Sequence, residues 1–99
     1  MYMRVLKKKT LTDYWEQHAE IRGPLEAWYE HVKRANWTTP QDVQRDYGDD
    51  VIIPNNRAIF NIKGNQYRLV VQFHYKSGLV FIRFIGTHAE YNRIDAAEI

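Results

Sequence analysis

The stretch RAIFNIKGNQYRLVVQFHYKSGLVFIRFIG, residues 57–86, decides the fold. It divides into three apolar-alternating runs, Arg57 to Ile62, Gln66 to Tyr75 and Leu79 to Gly86, separated by the turn pairs Gly64-Asn65 and Ser77-Gly78. Two-residue turns predict an antiparallel meander. In it Asn61 faces Arg68, Ile59 faces Val70, Arg57 faces Gln72, and Gln72 in turn faces Arg83, with Val70 opposite Ile85. One face then carries Ala58, Phe60, Ile62, Tyr67, Leu69, Val71, Phe73, Val80, Ile82 and Phe84. The other carries Arg57, Asn61, Arg68, Gln72, His74 and Arg83 around Ile59, Val70, Phe81 and Ile85. A one-residue slip would mix the two sets, so the pattern itself specifies the register.

Upstream, Tyr2 to Lys7 reads as a first strand. Thr10 reads as the cap of a helix carrying Leu11, Tyr14, Trp15 and His18 at helical spacing. Gly23 is expected to end that helix and Pro24 to open a second, with Leu25, Trp28, Tyr29 and Val32 on one stripe. The apolar face of the meander offers this helical hairpin a surface to cover. Thr39-Pro40 starts a third, short helix ended by Gly48, and residues 49–56 read as a connector. Thr87 is expected to cap a last helix running to Ile94. The predicted class is α+β: a small antiparallel sheet, built from the first strand and the carboxy-terminal three-strand meander, covered on one face by the amino-terminal helical hairpin.

Ninety-nine residues, 44% hydrophobic and 14% aromatic, fit one domain with a real core. The net charge of +2 permits a nucleic-acid partner without demanding one. Its distribution is uneven. Arg57, Lys63, Arg68, Lys76 and Arg83 have no acidic residue among them. The absence of cysteine excludes disulfide scaffolds, thiol catalysis and zinc–thiolate sites. The four histidines lack metal-ligand spacing, so neither metal nor cofactor is expected. With no signal-peptide pattern and no long apolar run, a soluble cytoplasmic protein without membrane contact is expected.

Arginines at strand centres offer planar forks suited to phosphate oxygens. His88 follows the last strand, on the rim of the cationic face, and Tyr91 lies one helical turn on. If the ligand is RNA, His88 can carry a proton, Arg68 and Arg83 can hold a phosphate, Asn61 can bond a base or the backbone, and Tyr91 can stack on a base. The same residues have plainer readings. His88 can serve only the helix start, and the arginines can pair with Glu90, Asp95 or Glu98. From the residues alone an endonuclease, a non-catalytic RNA- or ribosome-binding module and a protein-interaction module all stay open.

The strings FNIKGNQYRLVV and GTHAEYNRID, and within them Asn61, Gly64-Asn65, Arg68 and Thr87-His88-x-Glu90-Tyr91, resemble the HigB family of toxin components of type II toxin–antitoxin systems, in the RelE-like superfamily. The resemblance is strongest over residues 57–96. It implies a single RelE-like toxin domain over residues 1–99, acting as a ribosome-dependent endonuclease that cuts mRNA in the A site without metal. It implies a cognate helix-turn-helix antitoxin as partner, with operator DNA bound only through the antitoxin complex. His88, Tyr91 and Arg68 fall on the family's motifs and become expected catalytic residues; Arg83 joins them on register alone. Arg57, Asn61, Lys63 and Gln72 are the expected RNA-binding residues. Asn92 stands where the family often has an acidic residue.

Overall fold

The computed structural model describes residues 3–99. Its elements are β1 (Arg4–Leu6), α1 (Lys8–Gln17), α2 (Arg22–Arg34), α3 (Pro40–Tyr47), β2 (Ile52–Ile53), β3 (Arg57–Ile62), β4 (Tyr67–His74), β5 (Leu79–Thr87) and α4 (His88–Tyr91). The five strands form one sheet in the order β1-β5-β4-β3-β2. The fold is α+β, as expected, and the sheet is mixed. β1 runs parallel to β5, with Arg4 beside Leu79 and Leu6 beside Phe81, whereas the other pairings are antiparallel. The Tyr2 end of the expected first strand lies outside the described residues. β2 arises inside the expected connector, where Ile52 and Ile53 pair with Ala58 and Arg57.

The helix boundaries follow local chemistry. Thr39 caps α3 with a full capping box: its hydroxyl accepts from the Asp42 N–H while the Asp42 carboxylate accepts from the Thr39 N–H, and Pro40 opens the helix. Thr87 and Glu90 build the same box at α4, which stops at Tyr91 rather than Ile94. Thr10 is not a cap. α1 is capped three residues earlier, at Lys7 in a left-handed conformation, and its carboxy-terminal cap is His18 rather than Gly23. Gly23 and Pro24 both sit in the first turn of α2.

The core lies between the helices and one face of the sheet. Leu11, Ile21, Leu25, Trp28, Val32 and Val43 meet Ala58, Phe60, Leu69, Val71, Val80 and Ile82, all buried. Aromatic edges lock the layers. Trp28 meets Phe60 edge-on at 5.3 Å, and Trp37 meets Phe73 at 5.9 Å.

The β3–β4 register is the expected one: Arg57 with Gln72, Ile59 with Val70, Asn61 with Arg68. The β4–β5 register is not. The loop between these strands is a four-residue turn through Tyr75–Ser77 and Gly78, so Gln72 pairs with Phe81. A bulge then absorbs one residue: Val71 pairs with Ile82, but Val70 pairs with Phe84. Arg83 is the residue left over. The bulge also exchanges two side chains, so that Ile85 joins the helix-side core and Phe84, half-buried, stays outside it.

Candidate nucleic-acid interface

The free edge of β3 organises the site. Ile52, the first residue of β2, pairs with Ala58, so among the described residues β3 has no sheet partner on that side beyond Ala58. The Phe73 N–H donates to the Asn56 carbonyl at 2.7 Å. Antiparallel alternation from that bond turns the backbone polar groups of Ile59 and Asn61 away from β4, toward the open edge. A cleft of about 360 Å³ runs along this edge, lined by Tyr47, Val51, Ile59, Phe60, Asn61, Arg68 and Tyr91. α3 supplies Tyr47 from one side, and α4 supplies Tyr91 from the other.

Three of the eight expected site residues therefore converge: Asn61, Arg68 and Tyr91. Arg68 is steered by its own hairpin, one Nη donating to the Asn65 carbonyl at 3.0 Å. No carboxylate lies within salt-bridge distance of it among the described residues; the same holds for Lys63 and Arg83. Glu90, a possible partner by sequence, is engaged elsewhere. It accepts from the Thr87 N–H at 2.7 Å and from Tyr14 Oη at 3.3 Å. Those bonds, the Thr87 N–H first, hold the Glu90 carboxyl below the usual carboxylate range. A carboxylate so satisfied has little left for an arginine.

The other expected residues are placed apart from the cleft. His88 is exposed at the first position of α4, its N–H donating to the Gln66 carbonyl at 3.0 Å. Its Nδ1 lies 3.3 Å from the Asn92 amide. Arg83 projects from the bulge, donates to Gln72 Oε1 at 2.9 Å, and borders a separate cavity against α1 with Tyr14 and Phe84. The expected Gln72–Arg83 contact survives the register change because a long guanidinium side chain spans the two-residue offset. Arg57 donates to the Ile99 carbonyl and, at 3.0 Å, to the Asn55 carbonyl. The segment after α4 thus returns to the β2–β3 corner and occupies a cation expected to meet RNA. Lys63 lies in a neighbouring cleft.

Tyr47 was not expected here. It is the one exposed large hydrophobic residue among those described. Its Oη sits 2.6 Å from His31 Nδ1, and its ring meets Phe60 edge-on at 4.8 Å. Burial first, then the Asp46 charge, pushes its hydroxyl up to about 12, so it stays neutral. Its only sequence signal is its place as the last helical residue before Gly48. Among the described residues no group of three or more His, Cys, Asp or Glu is clustered as for a metal ion, and no helix is long and apolar enough to cross a membrane.

A family model described as HigB toxin, the RelE-like toxic component of a toxin–antitoxin system, matches residues 21–94. The chain is 24% identical over 92 residues to the mRNA interferase toxin HigB of Escherichia coli strain K12, covering 91% of this chain and 88% of that one. Against the mRNA interferase HigB of Escherichia coli O6:H1 it is 19% identical over 94 residues, covering 93% and 91%. The family match spans α2 to α4 and includes every residue of the cleft, so the chain belongs to the HigB family of RelE-like toxins.

Proposed function

We propose that this toxin is a ribosome-dependent endonuclease that cuts mRNA in the A site by attack of the ribose 2′-hydroxyl, without a metal ion. The observation that carries the reading is the convergence of Arg68, Asn61 and Tyr91 in one cleft, with no carboxylate among the described residues within salt-bridge distance of the guanidinium. In the reaction the 2′-oxygen bonds to phosphorus as the bond from phosphorus to the 5′-oxygen breaks. The products are a 2′,3′-cyclic phosphate and a 5′-hydroxyl. Arg68 stabilises the charge that builds on the phosphoryl oxygens. Tyr91 stacks on a base or protonates the departing oxygen. His88, at the head of α4 and outside the cleft lining, is assigned the 2′-hydroxyl proton, a role that requires mRNA held at Arg68 to run past the start of α4.

The Asn92 amide bears on that last role. Presenting its oxygen, it accepts from Nδ1–H and leaves Nε2 free as a base; presenting its nitrogen, it puts the proton on Nε2. Ribosome dependence fits the sparse charge. A cleft with so few cations makes few phosphate contacts and binds free RNA weakly. The ribosome would hold the mRNA in place instead. A cognate helix-turn-helix antitoxin completes the reading: it neutralises the toxin, and operator DNA is bound only through their complex.

The test is cleavage of a defined mRNA on translating ribosomes, with the new ends typed chemically. Cyclic phosphate and 5′-hydroxyl ends, lost in His88→Ala and Arg68→Ala, are the expected result. Bound protein with intact mRNA would instead leave a non-catalytic ribosome-binding module, and full activity of both variants would show the site to be wrongly assigned.

A further inference from the structure

A second cleft, about 240 Å³, continues the first around the β3 edge. The two share Tyr47, Phe60 and Asn61. Beyond them the second is walled by Pro24, Ala27 and Trp28 of α2, and Lys63 stands at its mouth. We propose that this cleft is a subsite for the nucleotide next to the scissile phosphate, taking its base against α2 and its phosphate at Lys63; this rests on the endonuclease reading above.

Three observations support it. The first is continuity: a strand laid along the β3 edge with one phosphate at Arg68 must pass Tyr47, whose exposed ring divides the clefts and offers a stacking plane. The second is charge. Lys63 is exposed, pairs with no carboxylate among the described residues, and takes a positive φ of 53° in the hairpin turn. The third is an unmet hydrogen bond. Trp28 is 4% exposed, and its indole N–H is the one buried side-chain donor without a partner among the described residues. Such a donor is costly to leave unpaired. The Trp28 nitrogen is closed to water in the free protein, so a base accepts from it only if the indole turns toward the cleft; the base's flat faces suit the apolar walls as they stand. An apolar peptide side chain would satisfy the walls but neither Trp28 nor Lys63.

Ala27 is exposed, so a larger side chain there fills the cleft without entering the core. The experiment compares parent, Ala27→Phe, Trp28→Phe and Lys63→Gln on translating ribosomes, mapping cuts across mRNAs that vary each base near the cut. Ala27→Phe is expected to slow cutting by about fivefold or more, the lower end of what stacking one base is worth. It should also flatten the base preference at one adjacent position only. Trp28→Phe, which keeps the ring and removes the donor, should alter preference at that same position. Ala27→Phe cutting at the parental rate with parental preferences overturns the subsite. If Ala27→Phe fails to melt cooperatively, Lys63→Gln decides: unchanged rate and preference overturn it. A parent that cuts nothing removes the endonuclease reading and the subsite together.

Discussion

Arg68 stands directly across the β4–β5 ladder from Gly86, and the space above Gly86 is already taken. A Cβ at Gly86 would lie 2.5 Å from the Phe84 ring and 3.0 Å from Glu90 Oε1. Glycine here lets Glu90 fold back onto the Thr87 N–H and lets Phe84 cover the ladder beside Arg68. Gly86→Ala is therefore expected to cost about 1–3 kcal/mol, the usual range for overpacking. It should also lower cleavage more than that loss of stability explains, because the displaced carboxylate releases the start of α4. Denaturant melts and cleavage rates on the same variant separate the two effects.

Arg68 itself gives the sharpest test of the phosphate role. Removing one group aimed at developing charge costs about 10²–10³ in rate. Arg68→Ala should fall in that range with little change in folding, because among the described residues Arg68 makes no ion pair that its removal would break. Arg68→Lys keeps the charge and loses the planar fork, so an intermediate rate is expected. Equal rates for Arg68→Lys and the parent would mean that charge alone matters there.

The reach of the sequence can be argued from single residues. The β3–β4 pairing was legible because Arg57 and Asn61 alternate with apolar residues as Arg68 and Gln72 do, so a one-residue slip would set polar side chains beside the apolar face. The β4–β5 pairing was not, because Phe84 and Ile85 are both large and apolar. A bulge that exchanges them leaves the hydrophobic pattern unchanged. The parallel placement of β1 had no local signal, since three residues carry no mark of direction. β2 was missed because two isoleucines after a helix read equally well as a connector. In the site, Asn61, Arg68 and Tyr91 were readable from the open face and the motif. Tyr47 was not, because it reaches the cleft through the packing of α3 on Phe60, a contact between distant parts of the chain.

Glu90 ties α4 to α1 through Tyr14, and that tie is acid-sensitive. Its pKa is lower in the folded protein than in the unfolded chain, chiefly through the Thr87 N–H. Its contribution is thus present above the unfolded value and lost as pH falls through the folded one. Glu90→Gln should flatten the acid limb of the stability–pH curve. Melts across the acid range check this, and identical curves for parent and Glu90→Gln would refute it.

Alkaline behaviour runs through tyrosine. Burial first pushes Tyr14, Tyr47 and Tyr75 from 10.0 up to about 12. For Tyr14 the Glu90 charge and hydrogen bond add to burial, for Tyr47 the Asp46 charge, and for Tyr75 the Asp42 charge. A group whose folded pKa is raised contributes fully below the unfolded value and loses that contribution as pH climbs through the folded one. Stability is therefore expected to fall between pH 10 and about 12, with tyrosinate absorbance appearing as the chain unfolds. Tyr75 stacks on Phe73 at 4.9 Å, away from both clefts, so Tyr75→Phe keeps the packing and removes one titration. Its stability should decline less steeply over that window by the share of one proton. A slope equal to the parent's would show that the Tyr75 hydroxyl ionises as freely in the folded protein as in the unfolded chain.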